Sequence, residues 1–320
     1  MDKTETLLYV NSSPHAHSGN TISAAMRDVL VALLPALAVS LYYFRWKAAG
    51  VIITSVVTAV LCEYICQKVM KKEVTINDYS AALTGLLLAF TLPAGLPLGM
   101  AVIGSAAAII IGKAFFGGLG GNIFNPALIG RAIILASFPA AMTTWLMPAD
   151  ITTAPTTLGI IKETGQLAGL PSLVDMLIGN MGGSLGETGT IALIIGGLYL
   201  IWRKHIDWKV PVTFIGTVFV LSLIKGLLSG AGMYYALVQI LAGGLFLGAF
   251  FMATDWVTTP ITGLGRVIFA LGCGIITFVI RTKGGYPEGV CYSILIMNGV
   301  TPLIDRFTTG KVFGEGTQNV

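Results

Sequence analysis

From Ser80 to Phe116 the chain is almost uninterrupted hydrocarbon, except that Pro93-Ala94-Gly95-Leu96-Pro97 cuts the run in two. The first piece, Ser80 to Leu92, holds 13 residues, whereas a helix needs roughly 20 to cross a bilayer. It reads as a half-helix or a strongly bent segment. The second piece, Leu98 to about Phe115, is close to full length. Composition fits a lipid setting. Charged residues make up 11% of the chain, against about 25% in a soluble domain, and mean hydropathy is +0.83. The chain reads as an all-α integral membrane protein, and its 40 glycines suit close helix packing in lipid. A net charge of +4, with the basic residues at loop positions, gives no reason to expect nucleic acid.

The other apolar segments fall in order around this broken one. Two precede it, about Val29 to Phe44 and Ala48 to Cys66. The glycine-rich Phe116-Gly117-Gly118-Leu119-Gly120-Gly121 follows it and is unsuited to a helix interior. Next comes Asn122-Ile123-Phe124-Asn125-Pro126, where Pro126 suits a first helical turn and Asn125 its N-cap. Bare helix amides beside two asparagines make a polar pocket at membrane depth. Later segments run about Thr190–Trp202, Val210–Leu228, Tyr235–Thr254, Gly263–Ile280 and Val290–Leu303, and Leu173–Ile178 reads as a short interfacial helix.

The two halves resemble each other weakly. Phe124-Asn125-Pro126-Ala127-Leu128-Ile129-Gly130-Arg131 echoes Met297-Asn298-Gly299-Val300-Thr301-Pro302-Leu303-Ile304-Asp305-Arg306, out of register. Five segments per half would place the second half upside down. The expected fold is therefore ten transmembrane helices as two inverted five-helix repeats with broken half-helices. With ten spans, twelve Lys and Arg fall on the side of the termini and six on the other. That bias puts both termini inside and residues 150–158 outside. The polar first 26 residues carry no A-x-A-like site after a short apolar core, so no cleaved signal peptide is expected.

Asp150-Ile151-Thr152-Thr153-Ala154-Pro155-Thr156-Thr157-Leu158 is the polar stretch between the halves. Thr and Pro disfavour a helix interior, so it belongs outside the bilayer or at its edge. One reading is a plain connecting loop; the other is a hydroxyl presented for covalent modification. Cys62, Cys66, Cys273 and Cys291 all lie inside apolar segments and read as helix cysteines rather than a metal site. His15 and His17 read as solvated residues of the arm. Arg131 at membrane depth calls for a partner or for snorkelling. Glu63 reads as an acid at a helix end by the interface. Asp255 reads as a loop acid, or as a cation ligand beside a helix break.

The run from Lys113 to Leu128, with Tyr286-Pro287-Glu288-Gly289 and Pro302-Leu303-Ile304-Asp305, resembles one membrane family. Its members are the D subunit of the Rnf complex and the B subunit of the sodium-translocating NADH:quinone oxidoreductase. The resemblance covers nearly the whole chain. That family carries a flavin-attachment pattern like D-x-x-[ST]-x-A-T-x-L, on which Asp150, Thr153, Thr156 and Leu158 fall. Ala154-Pro155 stands where the family usually has Gly-Ala. The compact length favours the Rnf member.

The resemblance implies FMN esterified through its phosphate to Thr156 by a separate flavin transferase, so no catalytic residues are expected in this chain. It also implies a noncovalent riboflavin near Asn122 and Asn125. The whole complex, with subunits A, B, C, E and G, would move electrons between ferredoxin and NAD and carry Na⁺ or H⁺ across a bacterial cytoplasmic membrane. The implied organisation is a cytoplasmic arm (1–26), a first repeat (27–140), an external flavin-bearing loop (141–189), a second repeat (190–305) and a cytoplasmic tail (306–320). A small-molecule channel of the urea or ammonium type and a passive scaffold are the competing readings.

Overall fold

A computed structural model describes residues 21–148, 153–165, 167, 169–187 and 189–310. Thr21 opens the first helix by accepting from the Ala24 N–H, and α1 then runs Ile22–Val69. The polar arm therefore ends earlier than expected, because Ile22–Met26 is already helical. The two expected segments are present as the limbs of α1, bent at Arg45, where φ is 50° and ψ −130°.

The broken segment is α2, Ser80–Phe90, followed by α3, Leu98–Ile109, which continues as a π turn over Ile110–Ala114. α4 is Pro126–Ser137, entered as anticipated through Asn125, whose side chain accepts from the Ala127 and Leu128 amides. Gly117, Gly118 and Gly120 in the turn before it all have positive φ, which only glycine adopts at little cost. α5 (Pro139–Met142), β1 (Trp145–Leu146), β2 (Thr153–Ala154), α6 (Thr157–Thr164) and α7 (Leu173–Ile178) make up the connection between halves. β1 and β2 pair antiparallel, Trp145 with Ala154 and Leu146 with Thr153.

The second half holds α8 (Thr190–Trp202), α9 (Lys209–Leu228), α10 (Gly232–Leu241), α11 (Leu245–Leu247) with a π turn over Gly248–Met252, α12 (Gly263–Lys283) and α13 (Val290–Thr308). Two expectations change here. The segment expected as one span over Tyr235–Thr254 is two pieces bent by 61°. α13 also runs through Pro302 to Thr308, past the expected end near Leu303.

The described residues include three helices long and apolar enough to cross a membrane: α1, α9 and α12; the bent pair α10–α11 would make a fourth. Four further apolar helices are shorter, α2, α3 with its π turn, α4 and α8. α2 is enclosed by α1, α3 and α4, and nine of its residues from Ser80 to Phe90 are buried, as irregular or truncated backbone in lipid requires.

The broken ends of α2 and α11 are satisfied by other parts of the chain. The Gly186 and Leu185 amides donate to the Phe90 and Leu92 carbonyls at 2.7 and 3.0 Å. A side chain at Gly186 would meet the Phe90 carbonyl oxygen at 2.9 Å and Leu247 at 2.8 Å, so glycine is what lets this loop reach both half-helices. Arg131 Nη1 donates to the Thr91 carbonyl at 2.8 Å, and Asn125 Nδ2 to the Met252 carbonyl at 3.3 Å. Both side chains belong to the α4 segment.

A parallel holds at the ends of the long helices. Lys113, closing α3, is buried and donates to both Glu63 carboxylate oxygens, at 2.7 and 2.9 Å, and to Ser80 Oγ at 2.6 Å, where α2 begins. Arg281, near the end of α12, is buried and donates to the Gln239 and Ala242 carbonyls, just before α11 begins. Glu63 is thus an enclosed ion-pair member, not an interfacial acid, because α3 delivers an ammonium to it. The cysteines lie inside helices and are free, as expected.

Candidate functional site

Two cavities carry the residues singled out from sequence. The first is a cleft under the connection between halves. Thr156 is the N-cap of α6, and its Oγ1 accepts from the Gly159 N–H at 3.0 Å. Its backbone is extended (φ −69°, ψ 157°), as an N-cap residue's usually is. Thr156 is half-buried, Thr153 is exposed, and Thr157 and Leu158 are buried. Of the described threonines beside it, Thr157 is therefore the less accessible, and Leu158 is buried beneath the turn. Asp150 lies outside the described residues. Trp145, Tyr286 and Pro287 help wall the cleft, and Arg131, Glu187 and Glu288 lie along it.

These last three belong to a buried charge cluster. Arg131 Nη2 sits 2.8 Å from Glu288 Oε2. The other Glu288 oxygen accepts from the Gly244 N–H. Glu187 accepts from the Ser184 N–H at 3.0 Å and is hydrogen-bonded to Glu288. Burial, then the Glu288 charge, pushes the Glu187 carboxyl up to about 8 against the pull of Arg131. Burial also opposes the charge on Glu288, but Arg131 and Arg281 outweigh it and hold that carboxyl below the ordinary range. The two carboxyls are thus pushed in opposite directions, and a proton shared by the pair is favoured on Glu187. Arg131 has the partner its depth demanded, so it does not snorkel.

The second cavity, of about 250 Å³, lies at the other end of α4. Asn122 and Asn125 both line it, as the sequence suggested, together with Asp255, Trp256, Phe250 and Phe251. Asp255 lies in a loop, as expected. It is half-buried, burial raises its carboxyl, and Thr258, backbone amides and Asn122 hold it by hydrogen bonds. Ser80 and Lys113 form part of the wall. Beside it, Asp28 accepts from Arg203 Nε and Nη2 at 3.0 and 2.7 Å, and His205 Nε2 lies 2.7 Å away. Trp256 Nε1 donates to the His205 carbonyl at 2.6 Å. This cavity offers aromatic and apolar walls with a few converging amides, which suits a planar heteroaromatic ring.

Sequence reading does not pair Lys113 with Glu63, Arg131 with Glu288, or Glu187 with Glu288. Each is a lone charge in an apolar or glycine-rich setting, which is the available signal; the partner lies 50, 157 or some hundred residues away.

Comparison with known proteins places these features in a family. The NQR2, RnfD, RnfE family matches residues 9–314. The chain is 49% identical to the D subunit of the proton-translocating ferredoxin:NAD(+) oxidoreductase complex of Clostridium ljungdahlii, over 97% of each chain. It is 44% identical to the D subunit of the Na(+)-translocating ferredoxin:NAD(+) oxidoreductase complex of Acetobacterium woodii, over 97% of this chain and 96% of the relative. It is 36% identical to the D subunit of the ion-translocating oxidoreductase complex of Halorhodospira halophila, over 95% of each. Matched along nearly its whole length, the chain belongs to the NQR2, RnfD, RnfE family.

Proposed function

We propose that this chain is the D subunit of an ion-translocating ferredoxin:NAD oxidoreductase, the Rnf complex, and carries two flavins. The full-length likeness to relatives bearing that name supports the assignment. One relative is named for protons and the other for Na⁺, so the transported ion stays open between them. The partners would be subunits A, B, C, E and G, with a flavin transferase acting on this chain. We place it in a bacterial cytoplasmic membrane with ten spans, two inverted repeats and both termini inside.

FMN would be esterified at Thr156. The observation that carries this reading is that Thr156 and a buried arginine line one cleft. A phosphoester keeps the flavin at an exposed site while the protein tunes and orients it. Thr156 holds the attachment point at a helix N-terminus, where the amides and dipole favour a phosphate, and Leu158 fixes that turn against the apolar body. Riboflavin would occupy the inner cavity, with Asn122 and Asn125 facing the ring and Phe250, Phe251 and Trp256 excluding water. Bound flavins supply the redox chemistry; the chain's residues bind, orient and shield them.

The intact mass of the subunit, purified from cells with its transferase, tests the attachment. An FMN adduct lost in Thr156→Ala supports it; an unmodified wild-type chain refutes it and reopens the channel and scaffold readings. For topology, a Glu163→Cys protein labelled only from the cytoplasm would overturn the orientation.

A further inference from the structure

His205 lines two cavities at once. One is the inner cavity at the end of α4. The other, of about 570 Å³, is bounded by residues between Ile201 and Val210, by the Thr254–Ile261 loop and by Arg266. Trp256 lines both as well. Its Nε1 bond to the His205 carbonyl ties the two residues together, with their rings 6.1 Å apart. His205 Nε2 lies 2.7 Å from Asp28 Oδ2. A carboxylate only accepts, so this nitrogen carries a hydrogen and Nδ1 is the one free to gain or lose a proton. The same Asp28 oxygen accepts from Arg203 Nε and Nη2. The Asp28 charge is thus already met by an arginine, and His205 can release its second proton without stranding a buried carboxylate.

The other charged groups around these cavities are committed or touch only one of them. Arg266 Nη1 meets Asp207 Oδ2 at 3.2 Å. Lys113, on the inner cavity, is bound by Glu63 and Ser80. Lys204 lines only the second cavity. Asp255 lines both, but it accepts from Thr258, Asn122 and backbone amides. Histidine is the side chain suited to exchanging a proton near neutral pH, and here one stands on a wall shared by two cavities.

We propose that His205 is a proton-relay residue, which passes its Nδ1 proton to the planar ring held in the inner cavity and regains one from water in the second. This rests on the reading that riboflavin occupies the inner cavity. For each electron that reaches the ring from ferredoxin through the complex, one Nδ1–H bond breaks and one N–H bond forms on a ring nitrogen, directly or through one water. A solvent proton then restores the imidazolium. Asp28 is a positioning residue that fixes Nε2 and so leaves Nδ1 for the exchange. In the proposed topology the second cavity faces the cytoplasm, so the proton is drawn from that side.

The test uses the assembled complex, expressed with its transferase, carrying His205→Gln. Glutamine can still donate to Asp28 but cannot relay a proton. Noncovalent riboflavin per complex is counted first. Reduction is then started by rapid mixing with reduced ferredoxin over about pH 6 to 9, and riboflavin absorbance is followed together with proton uptake by an indicator dye. In the wild-type complex the rate should fall as pH rises, because only the protonated imidazole donates. The variant should keep its riboflavin, react about a hundredfold more slowly, lose that pH dependence, and recover most of the rate when free imidazole is added. A wild-type rate that does not change with pH overturns the proposal, as does an unchanged rate in the flavin-loaded variant. A slow variant that imidazole does not rescue, or one that loses its riboflavin, would make His205 a structural or binding residue and overturn the relay too. A wild-type complex with no noncovalent riboflavin would instead overturn the reading beneath it.

Discussion

The Arg131 guanidinium and the Glu288 carboxylate are 157 positions apart in sequence and 2.8 Å apart in space. They join α4 to the loop that enters α13, with Glu187 hydrogen-bonded alongside. Removing one partner of a buried ion pair usually costs roughly 3–5 kcal/mol. Here Glu187 can give up its proton and take the vacated role. Glu288→Gln should therefore destabilise mildly, and Glu187→Gln with Glu288→Gln should approach the full cost. Thermal unfolding of the variants in detergent checks this; equal losses in the single and double variants would show that Glu187 does not compensate.

Glu187 also sets a pH dependence. Its carboxyl is raised from 4.5 to about 8 in the folded protein. Between those values the unfolded chain has lost a proton that the folded chain keeps, so this group's contribution to stability falls as pH rises and levels off above about 8. Glu187→Gln mimics the protonated form and should flatten the decline. Unfolding temperatures from pH 5 to 9 measure it, and parallel curves for the two proteins would contradict it.

Thr156 has two jobs that substitution can separate. As an N-cap it accepts the Gly159 amide; as the proposed attachment point it supplies a hydroxyl. Thr156→Ala should abolish in-gel flavin fluorescence and also cost about 1 kcal/mol of cap energy. Thr156→Ser should restore both. A fluorescent Thr156→Ala band that disappears in Thr153→Ala would move the attachment to Thr153.

The Lys113–Glu63 pair sits between two helices and the start of α2, with both residues 4% exposed. Lys113→Met strands Glu63 in the interior and should cost roughly 3–5 kcal/mol, whereas Lys113→Met with Glu63→Gln should recover much of it. The yield of assembled complex and its unfolding temperature report the difference. No recovery would mean that the bond to Ser80, not the ion pair, dominates.

Asn125→Asp keeps the acceptor that caps α4 but loses the donor to the Met252 carbonyl. Asn125→Ala loses both. Noncovalent riboflavin per complex should fall in both variants, and stability should fall further in the alanine variant by about 1 kcal/mol. Unchanged riboflavin in both would remove Asn125 from the pocket.

Much of this architecture can be read from local signals. The Pro93–Pro97 break, the capped entry at Asn125 and the short helix at Leu173–Ile178 all follow from residues within a turn of one another. The charges at Arg45 and Lys47 mark the bend between the limbs of α1, though not the positive φ by which Arg45 makes it. The end of α13 is misjudged by about a turn, since the helix runs past Leu303 into the polar residues up to Thr308. The buried charges are visible as oddities, but their meaning lies in partners brought in by tertiary packing. Glu63 reads as an interfacial acid for that reason.

α4 begins at a cap whose amide plugs the end of α11, and six residues later its guanidinium plugs the end of α2. At 1.5 Å per residue, those two plugs are about 9 Å apart on one rod. One key thus sits in two locks. Sliding it along its axis would withdraw from both at once, leaving the Thr91 and Met252 carbonyls unsatisfied together. The two breaks are tied to one rod, so a shift of α4 along its axis is felt at both.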